Sequence, residues 1–505
     1  MTPEAIAPAY GTKINSFEET HQTEVPDIYE RSRTAFSEWS KLSLKQRLSY
    51  LQKMREVIVD LQEEIADIVS LSTGKTKTDA LTAEVLAAAD AIKHVEKEAP
   101  NVLAKEKVKT PVHFMGKTSY IDRKPRGTVL VVSPWNFPFQ LAFTPVAEAL
   151  AAGNTVILKP SEITPVVGLL IKRIMNILPE NVVQTVIGGK ALGEALTKGR
   201  PDYIHFTGSV ETGKEIQQQA AKQLIPTTLE LGGKDAMLVF DDANVKRAAK
   251  AAVWGAFNNS GQICLSVERV YVQEGIYDEF LAEIKYETAK LRQGTHIDAD
   301  IGSMTTQAQV NVVKKHVQDA LDKNAVLESG KVPDEWKSND PFIEPVILTN
   351  VDHGMLVMNE ETFGPIMPVA TFATEEEAVQ LSNNTSYGLG GSVFTSDISK
   401  AERITSHLIT GNVTINDVLI NAANYNLPYG GVNYGGIGKY HGREGIKSFS
   451  IETSVMVDKG TSVKEIMWFP YAGKYDIFKE LIGNYWGSQR NWKAFIQSYM
   501  RLLKK

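Results

Sequence analysis

Cysteine is nearly absent from this 505-residue chain, which carries a single one, Cys264. That excludes an internal disulfide framework and a metal site built on thiolates. A lone thiol fits a reducing compartment, so a cytoplasmic location is expected. The nine histidines show no ligand spacing such as HExxH, and no metal is expected. No stretch of about 18 uninterrupted apolar residues occurs, so no helix is expected to span a membrane. Met1-Thr2-Pro3-Glu4-Ala5 lacks a basic segment leading into an apolar run, so no signal peptide is expected. Charge of one sign is also missing. The net charge is only −6, which gives no reason to expect a nucleic-acid partner. There is no internal repeat and no low-complexity tract.

The length exceeds one core, and at roughly 100–200 residues per domain it implies two or three. Residues 24–98 read as helices, for example Tyr50–Val59 with apolar positions at helical spacing. From Gly127 the pattern changes to short apolar, β-branched runs that alternate with helices. These are Thr128–Val132, Thr155–Lys159, Val182–Ile187 and Tyr203–Phe206. Such alternation means a parallel sheet covered on both faces. A second α/β region runs from Ala236–Phe240 to about residue 415. Thr118–Arg123 and Ser454–Asp458 fit neither region and read as excursion strands suited to pairing across an oligomer interface.

Three segments carry reactive groups. Cys264 ends Asn258-Asn259-Ser260-Gly261-Gln262-Ile263-Cys264, whose glycine and polar neighbours suit a loop that presents a thiol to a cleft. The bland alternative is a small buried hydrophobe. Glu230 stands between two leucines and before Gly232-Gly233. It reads either as a buried turn cap or as a general base whose pKa is raised by apolar surroundings. Asn136, in Pro134-Trp135-Asn136-Phe137-Pro138, follows a buried strand, where open α/β sheets bind ligands. Its amide either stabilises an oxyanion or merely shapes a turn.

Two further segments suit a dinucleotide. Phe206-Thr207-Gly208-Ser209-Val210-Glu211-Thr212-Gly213 joins a strand to a helix whose first amides could hold a pyrophosphate. Lys159-Pro160-Ser161-Glu162 offers a cation and a carboxylate at another strand end.

Together, in this order, these segments closely resemble the aldehyde dehydrogenase superfamily. The markers are PWNFP at 134–138, KPSE at 159–162, FTGS at 206–209, LELGGK at 229–234, GQIC at 261–264 and Glu361-Thr362-Phe363-Gly364-Pro365. The resemblance covers residues 25–460. It implies that Cys264 attacks the aldehyde carbon, that Asn136 and the Cys264 amide stabilise the oxyanion, and that Glu230 activates water to hydrolyse a thioester. It also implies an NAD site, with NADP as the alternative. Trp135, Lys159, Ser161, Glu162, Gly208, Ser209, Gly213, Leu231, Glu361 and Phe363 would form that site. Relatives that pass the acyl group to coenzyme A typically lack the base, so Glu230 implies a free acid product.

The fold so implied is α/β, with two doubly wound parallel-sheet domains, a strand arm and a helical tail. Residues 1–117 and 127–230 would form a Rossmann-like cofactor domain and 231–420 the catalytic domain. Residues 118–126 and 445–460 would form an oligomerisation arm, and 461–505 the tail.

The glycine-rich run at 426–442 resembles the class 3 and fatty aldehyde dehydrogenase branch, which implies a homodimer and a long-chain or other apolar aldehyde. Medium-chain, aromatic and isoprenoid-derived aldehydes stand as alternatives, as does a catalytically silent member of the family. His441, in the same run, reads as structural. The tail holds ten aromatic residues and eight Lys or Arg against three Asp or Glu. Trp492, Phe495, Ile496, Tyr499, Met500 and Leu503 fall on one helical face. Packing on the protein, peripheral membrane contact and gating of a substrate tunnel are three readings of that face.

Overall fold

A computed structural model describes residues 4–337 and 339–505. The first three residues of the expected cofactor domain lie outside the described ones. The chain divides into two compact units, residues up to 103 with 124–451, and 104–123 with 452–505.

Besides the small antiparallel pair Glu4–Ala7 with Thr12–Ser16, the larger unit holds two large sheets. In the first, the strand order is Gly436–Ile437, Thr227–Glu230, Tyr203–Thr207, Thr128–Val132, Thr155–Lys159, Val183–Thr185. All neighbours run parallel except Gly436–Ile437, which returns from far down the chain and sets Gly436 opposite Glu230. Side chains alternate across each strand. Val129, Val131, Val156 and Leu158 pack under the helices Leu44–Asp60, Ala87–Val102, Gln140–Ala152 and Pro165–Met175. Leu130 and Ile157 face the helices Val25–Trp39, Lys190–Lys198 and Val210–Ala221. Burial on both faces explains why these strands read as unbroken apolar runs.

The second sheet has seven strands, ordered Val326–Ser329, Val346–Thr349, Ile366–Phe372, Val267–Gln273, Asp235–Val239, Gly390–Phe394, Asn412–Ile415. Only its edge strand Val326–Ser329 runs antiparallel. The helical reading of residues 24–98 and the two-sheet α/β reading both match the structure.

The smaller unit has a three-stranded sheet ordered Ser450–Val457, Thr118–Pro125, Glu106–Val108. Both excursion strands are present, and two expected boundaries shift. Residues 106–108 leave the first domain because they pair with Thr118–Pro125. Residues 445–448 leave the arm because they lie in the helix Gly442–Ser448, whose Ile446 is buried in the first core.

The tail forms two helices, Tyr475–Trp486 and Trp492–Lys504, packed through Ile477, Leu481, Phe495, Tyr499 and Leu502. The single apolar face expected on the last helix is therefore split. Phe495 and Tyr499 turn inward, while Trp492, Ile496 and Met500 remain exposed. Six apolar residues span a wider arc than one neighbouring helix can cover. Among the described residues, no helix is long and apolar enough to cross a membrane.

Candidate active site

The loop before Cys264 is strained in a way sequence spacing does not reveal. Asn259, Ser260 and Gly261 all have left-handed backbones, with φ of 50°, 55° and 71°. Such runs persist only where the surroundings over-determine them. Here Ser260 Oγ donates to the Gly302 carbonyl at 3.1 Å, and Gln262 Nε2 donates to the Asn259 carbonyl at 3.0 Å. Gly261 lies so close to the next loop that a Cβ there would sit 2.2 Å from the Gly364 carbonyl oxygen. Only glycine supplies both the conformation and the room.

Cys264 belongs to an apolar cluster with Ile263, Leu265, Leu389, Leu419, Ala422, Tyr429 and Tyr440, and the Tyr429 hydroxyl lies 3.5 Å from its Sγ. Burial pushes the thiol up to about 12, although the Tyr429 hydroxyl pulls it back. The fields of Glu361, Asp235 and Glu230 add to the rise. Glu230 ends its strand fully buried, and neither carboxyl oxygen has a partner among the described residues. Burial raises its pKa well above the usual carboxylate value, and the Lys439 ammonium opposes that rise. A Cβ on Gly430 would lie 2.8 Å from Glu230 Oε1 and 3.0 Å from Lys439 Cδ, so acid and lysine share one niche.

Asn136 is buried and donates Nδ2 to the Gln262 carbonyl at 3.0 Å, which leaves its second amide hydrogen free of that bond. The turn that carries it is clamped by an ion pair absent from the sequence reading. Lys75 Nζ donates to Glu84 at 2.7 Å and to the Asn136 carbonyl at 2.7 Å. The other Glu84 oxygen accepts from the amides of Phe139 and Gln140 at 3.0 and 2.8 Å. Both side chains are fully buried.

A second buried clamp holds the loop Glu361–Pro365. Glu268 pairs with Lys234 and accepts from the amides of Thr362 at 2.8 Å and Phe363 at 2.9 Å. It thereby fixes Phe363 at a left-handed φ of 50°. Burial lowers the Lys234 pKa and Glu268 opposes the shift. Glu361 accepts from the Gly233 amide at 3.0 Å, and burial raises its pKa to about 8. Trp135 meets Phe363 edge-on at 5.5 Å.

At the carboxyl ends of the first sheet, Lys159 and Glu162 form an ion pair at 3.0 Å. Ser161 is buried, with its Oγ accepting from the Ile163 amide at 3.2 Å. Ser209 caps the helix Val210–Ala221. Gly213, in its first turn, packs against Leu231, so that a Cβ there would strike the leucine at 2.5 Å. Ser133 Oγ and Thr207 Oγ1, at the ends of two adjacent strands, are buried without partners among the described residues. Unpartnered hydroxyls beside a capped helix start fit a polar ligand with phosphates and ribose.

The remaining sequence candidate, His441, is buried among Tyr425, Tyr429 and Tyr440, and burial holds its pKa well below the usual histidine value. Lys75, Glu84, Lys234, Glu268, Tyr429 and Lys439 were missed by sequence reasoning. Lys234 stood in LELGGK, and Tyr429 and Lys439 in the run at 426–442.

Asn136 thus bonds to the loop that carries the Cys264 thiol, and the field of buried Glu230 reaches that thiol. Residues 2–455 match the sequence profile of the aldehyde dehydrogenase family. The chain belongs to that family. This aldehyde dehydrogenase is 41% identical over 492 residues to the 4,4'-diapolycopene aldehyde oxidase of Methylomonas sp, covering 96% of this chain and 91% of that one. It is 33% identical over 458 residues to the 4,4'-diaponeurosporen-aldehyde dehydrogenase of Staphylococcus aureus (strain NCTC 8325 / PS 47), covering 90% and 98%. Betaine aldehyde dehydrogenase from Staphylococcus aureus, solved in complex with NAD+, superposes with a TM-score of 0.86 at 30% identity, over 93% of each chain. The enzyme is an NAD(P)-dependent aldehyde dehydrogenase, and the reading as a catalytically silent family member falls.

Proposed function

We propose that this aldehyde dehydrogenase oxidises a long, apolar, isoprenoid-derived aldehyde to the free carboxylic acid. The observation that carries the apolar substrate is the cluster that holds Cys264, in which Ile263, Leu265, Leu389, Leu419 and Ala422 are aliphatic and Tyr429 and Tyr440 aromatic. Of the apolar readings opened by the sequence, the isoprenoid one has the support of the two relatives named for carotenoid aldehydes.

In the proposed reaction, Cys264 Sγ gives its proton to solvent water and bonds to the aldehyde carbon as the carbonyl π bond breaks towards oxygen. The Tyr429 hydroxyl donates to the sulfur and eases that ionisation. The free Asn136 N–H and the Cys264 amide receive the developing oxyanion. NAD or NADP, when bound, supplies the hydride acceptor. Lys159, Ser161 and Glu162 would hold the adenine ribose, and Gly208, Ser209 and Gly213 the pyrophosphate. Glu361 would bind the nicotinamide ribose, with Phe363 against the ring, Trp135 behind Phe363 and Leu231 beneath Gly213. The thioester left on Cys264 is then hydrolysed by a water whose proton Glu230 takes. A carboxyl raised by burial is a stronger base than a solvated one, which suits it to that step.

The expected homodimer belongs to the same reading. Among the described residues, Ser450–Val457 is an outer strand of its sheet, with its far edge open to a second copy.

Near-ultraviolet absorbance of the reduced cofactor tests the substrate. A detergent-dispersed polyene aldehyde should give the highest kcat/KM, ahead of decanal, benzaldehyde and betaine aldehyde. A preference of about tenfold for betaine aldehyde would overturn the reading.

A further inference from the structure

The match to the family profile ends at residue 455, and the last fifty residues lie beyond it. Within them, Lys474 is buried, 3% exposed. Its ammonium donates to the carbonyls of Trp468 at 2.7 Å and Ile466 at 3.2 Å. A buried ammonium is costly unless its donors are satisfied, so this lysine pins the loop in one shape. That shape turns apolar residues outward. Trp468 is 60% exposed, Phe469 81%, Tyr471 59% and Tyr475 74%. The exposed stripe continues along the next helix through Ile482 and Trp486, with Lys479 between Tyr475 and Ile482.

A contiguous exposed apolar patch signals a partner. Two features choose among partners. Trp and Tyr set beside lysine is the composition of the bilayer interface, where rings sit at headgroup level and ammonium groups reach to phosphate. The charge also has the right sign. The chain carries −6 overall, yet its final 45 residues hold eight Lys or Arg against three Asp or Glu. Lys479, Arg490 and Lys493 are exposed, and none makes an ion pair among the described residues. A cationic, aromatic surface complements anionic lipid, whereas a second copy would bring like charge against like.

We propose that the Lys474-pinned aromatic loop and the stripe that follows it dock this enzyme on the surface of an anionic bilayer. The proposal rests on the apolar-substrate reading in one respect, since an isoprenoid aldehyde dissolved in a bilayer would meet the enzyme there. Its test uses no substrate.

The full-length protein is floated with vesicles of phosphatidylglycerol and phosphatidylcholine, and with phosphatidylcholine alone. It should float with the anionic vesicles, and about 0.5 M salt should weaken binding. The variant Trp468→Ser/Phe469→Ser/Tyr471→Ser should lower the bound fraction about tenfold or more, because the apolar anchor is gone. Lys479→Glu/Lys493→Glu keeps the aromatics and should lose the preference for anionic lipid. Both variants should keep wild-type mass by light scattering and wild-type turnover of hexanal. No flotation of the full-length chain would overturn the proposal. So would wild-type binding by the triple variant, or a fall in its mass showing that the loop caps a second copy. Activity on the polyene aldehyde in detergent is scored separately and bears only on the substrate.

Discussion

Replacing Glu268 by alanine removes one carboxylate, strands the amides of Thr362 and Phe363, and leaves the Lys234 ammonium with Thr362 Oγ1 at 3.2 Å but without its counter-charge. Breaking a buried ion pair by deleting one partner costs about 3–5 kcal/mol, because the surviving charge is uncompensated. Each stranded amide adds about 1–3 kcal/mol if nothing moves. The loop Glu361–Pro365 has a cheaper course, which is to open and let water reach the amides. Opening also releases Phe363 from its left-handed backbone. Local opening therefore caps the global loss near the ion-pair figure. For about 3–5 kcal/mol in a chain of this size, Tm should fall by about 3–5 °C.

The larger effect should be on the cofactor. A loop that is open most of the time offers Glu361 and Phe363 only in a minor state, and affinity falls by that fraction. Dissociation constants for NAD, read by quenching of protein fluorescence, should rise at least about tenfold. The double variant Lys234→Met/Glu268→Leu separates the two roles. It removes both charges together and should recover much of the Tm, since apolar replacement of a buried pair is often neutral. It still lacks an acceptor for the two amides, so NAD affinity should stay low. Wild-type Tm and wild-type NAD affinity in Glu268→Ala would refute the clamp.

Glu230→Gln should retain a pre-steady-state burst of reduced cofactor while steady turnover falls by about 10²–10⁴, and full turnover would remove Glu230 as base. The base works only when deprotonated, so turnover should rise with pH through its raised pKa. Lys439→Met, which removes the cation that holds that pKa down, should move this limb to higher pH, and a limb unmoved or shifted to acid would show that the two do not interact. Glu162→Gln should release Lys159 from its ion pair and raise the NADP to NAD ratio of kcat/KM, whereas an unchanged ratio would place the 2′-hydroxyl elsewhere. Cys264→Ser should show no burst at all, because a serine hydroxyl there has no strong base to ionise it.

Much of the fold was legible because burial leaves a mark on composition. Thr128–Val132 read as a strand covered on both faces because it is short, rich in β-branched residues and bounded by Gly127 and Pro134. The antiparallel strand Gly436–Ile437 could not be read, because two residues of a glycine-rich run carry no periodicity. The last helix was read correctly as amphipathic and wrongly as having one apolar face. Which residues turned inward depended on where Ile477 and Leu481 of the neighbouring helix lay.

The site divides in the same way. Cys264, Glu230 and Asn136 were visible because their chemistry is written in short motifs that local neighbours define. Lys75 with Glu84, and Lys234 with Glu268, were invisible as pairs because each joins residues that only folding brings together. By itself the sequence determined which groups are candidates for the chemistry and their order, since side-chain identity decides what a group can ionise, attack or accept. Tertiary structure alone decided their pKa directions and the loops that hold them. Those depend on how much water is removed and which distant charge takes its place.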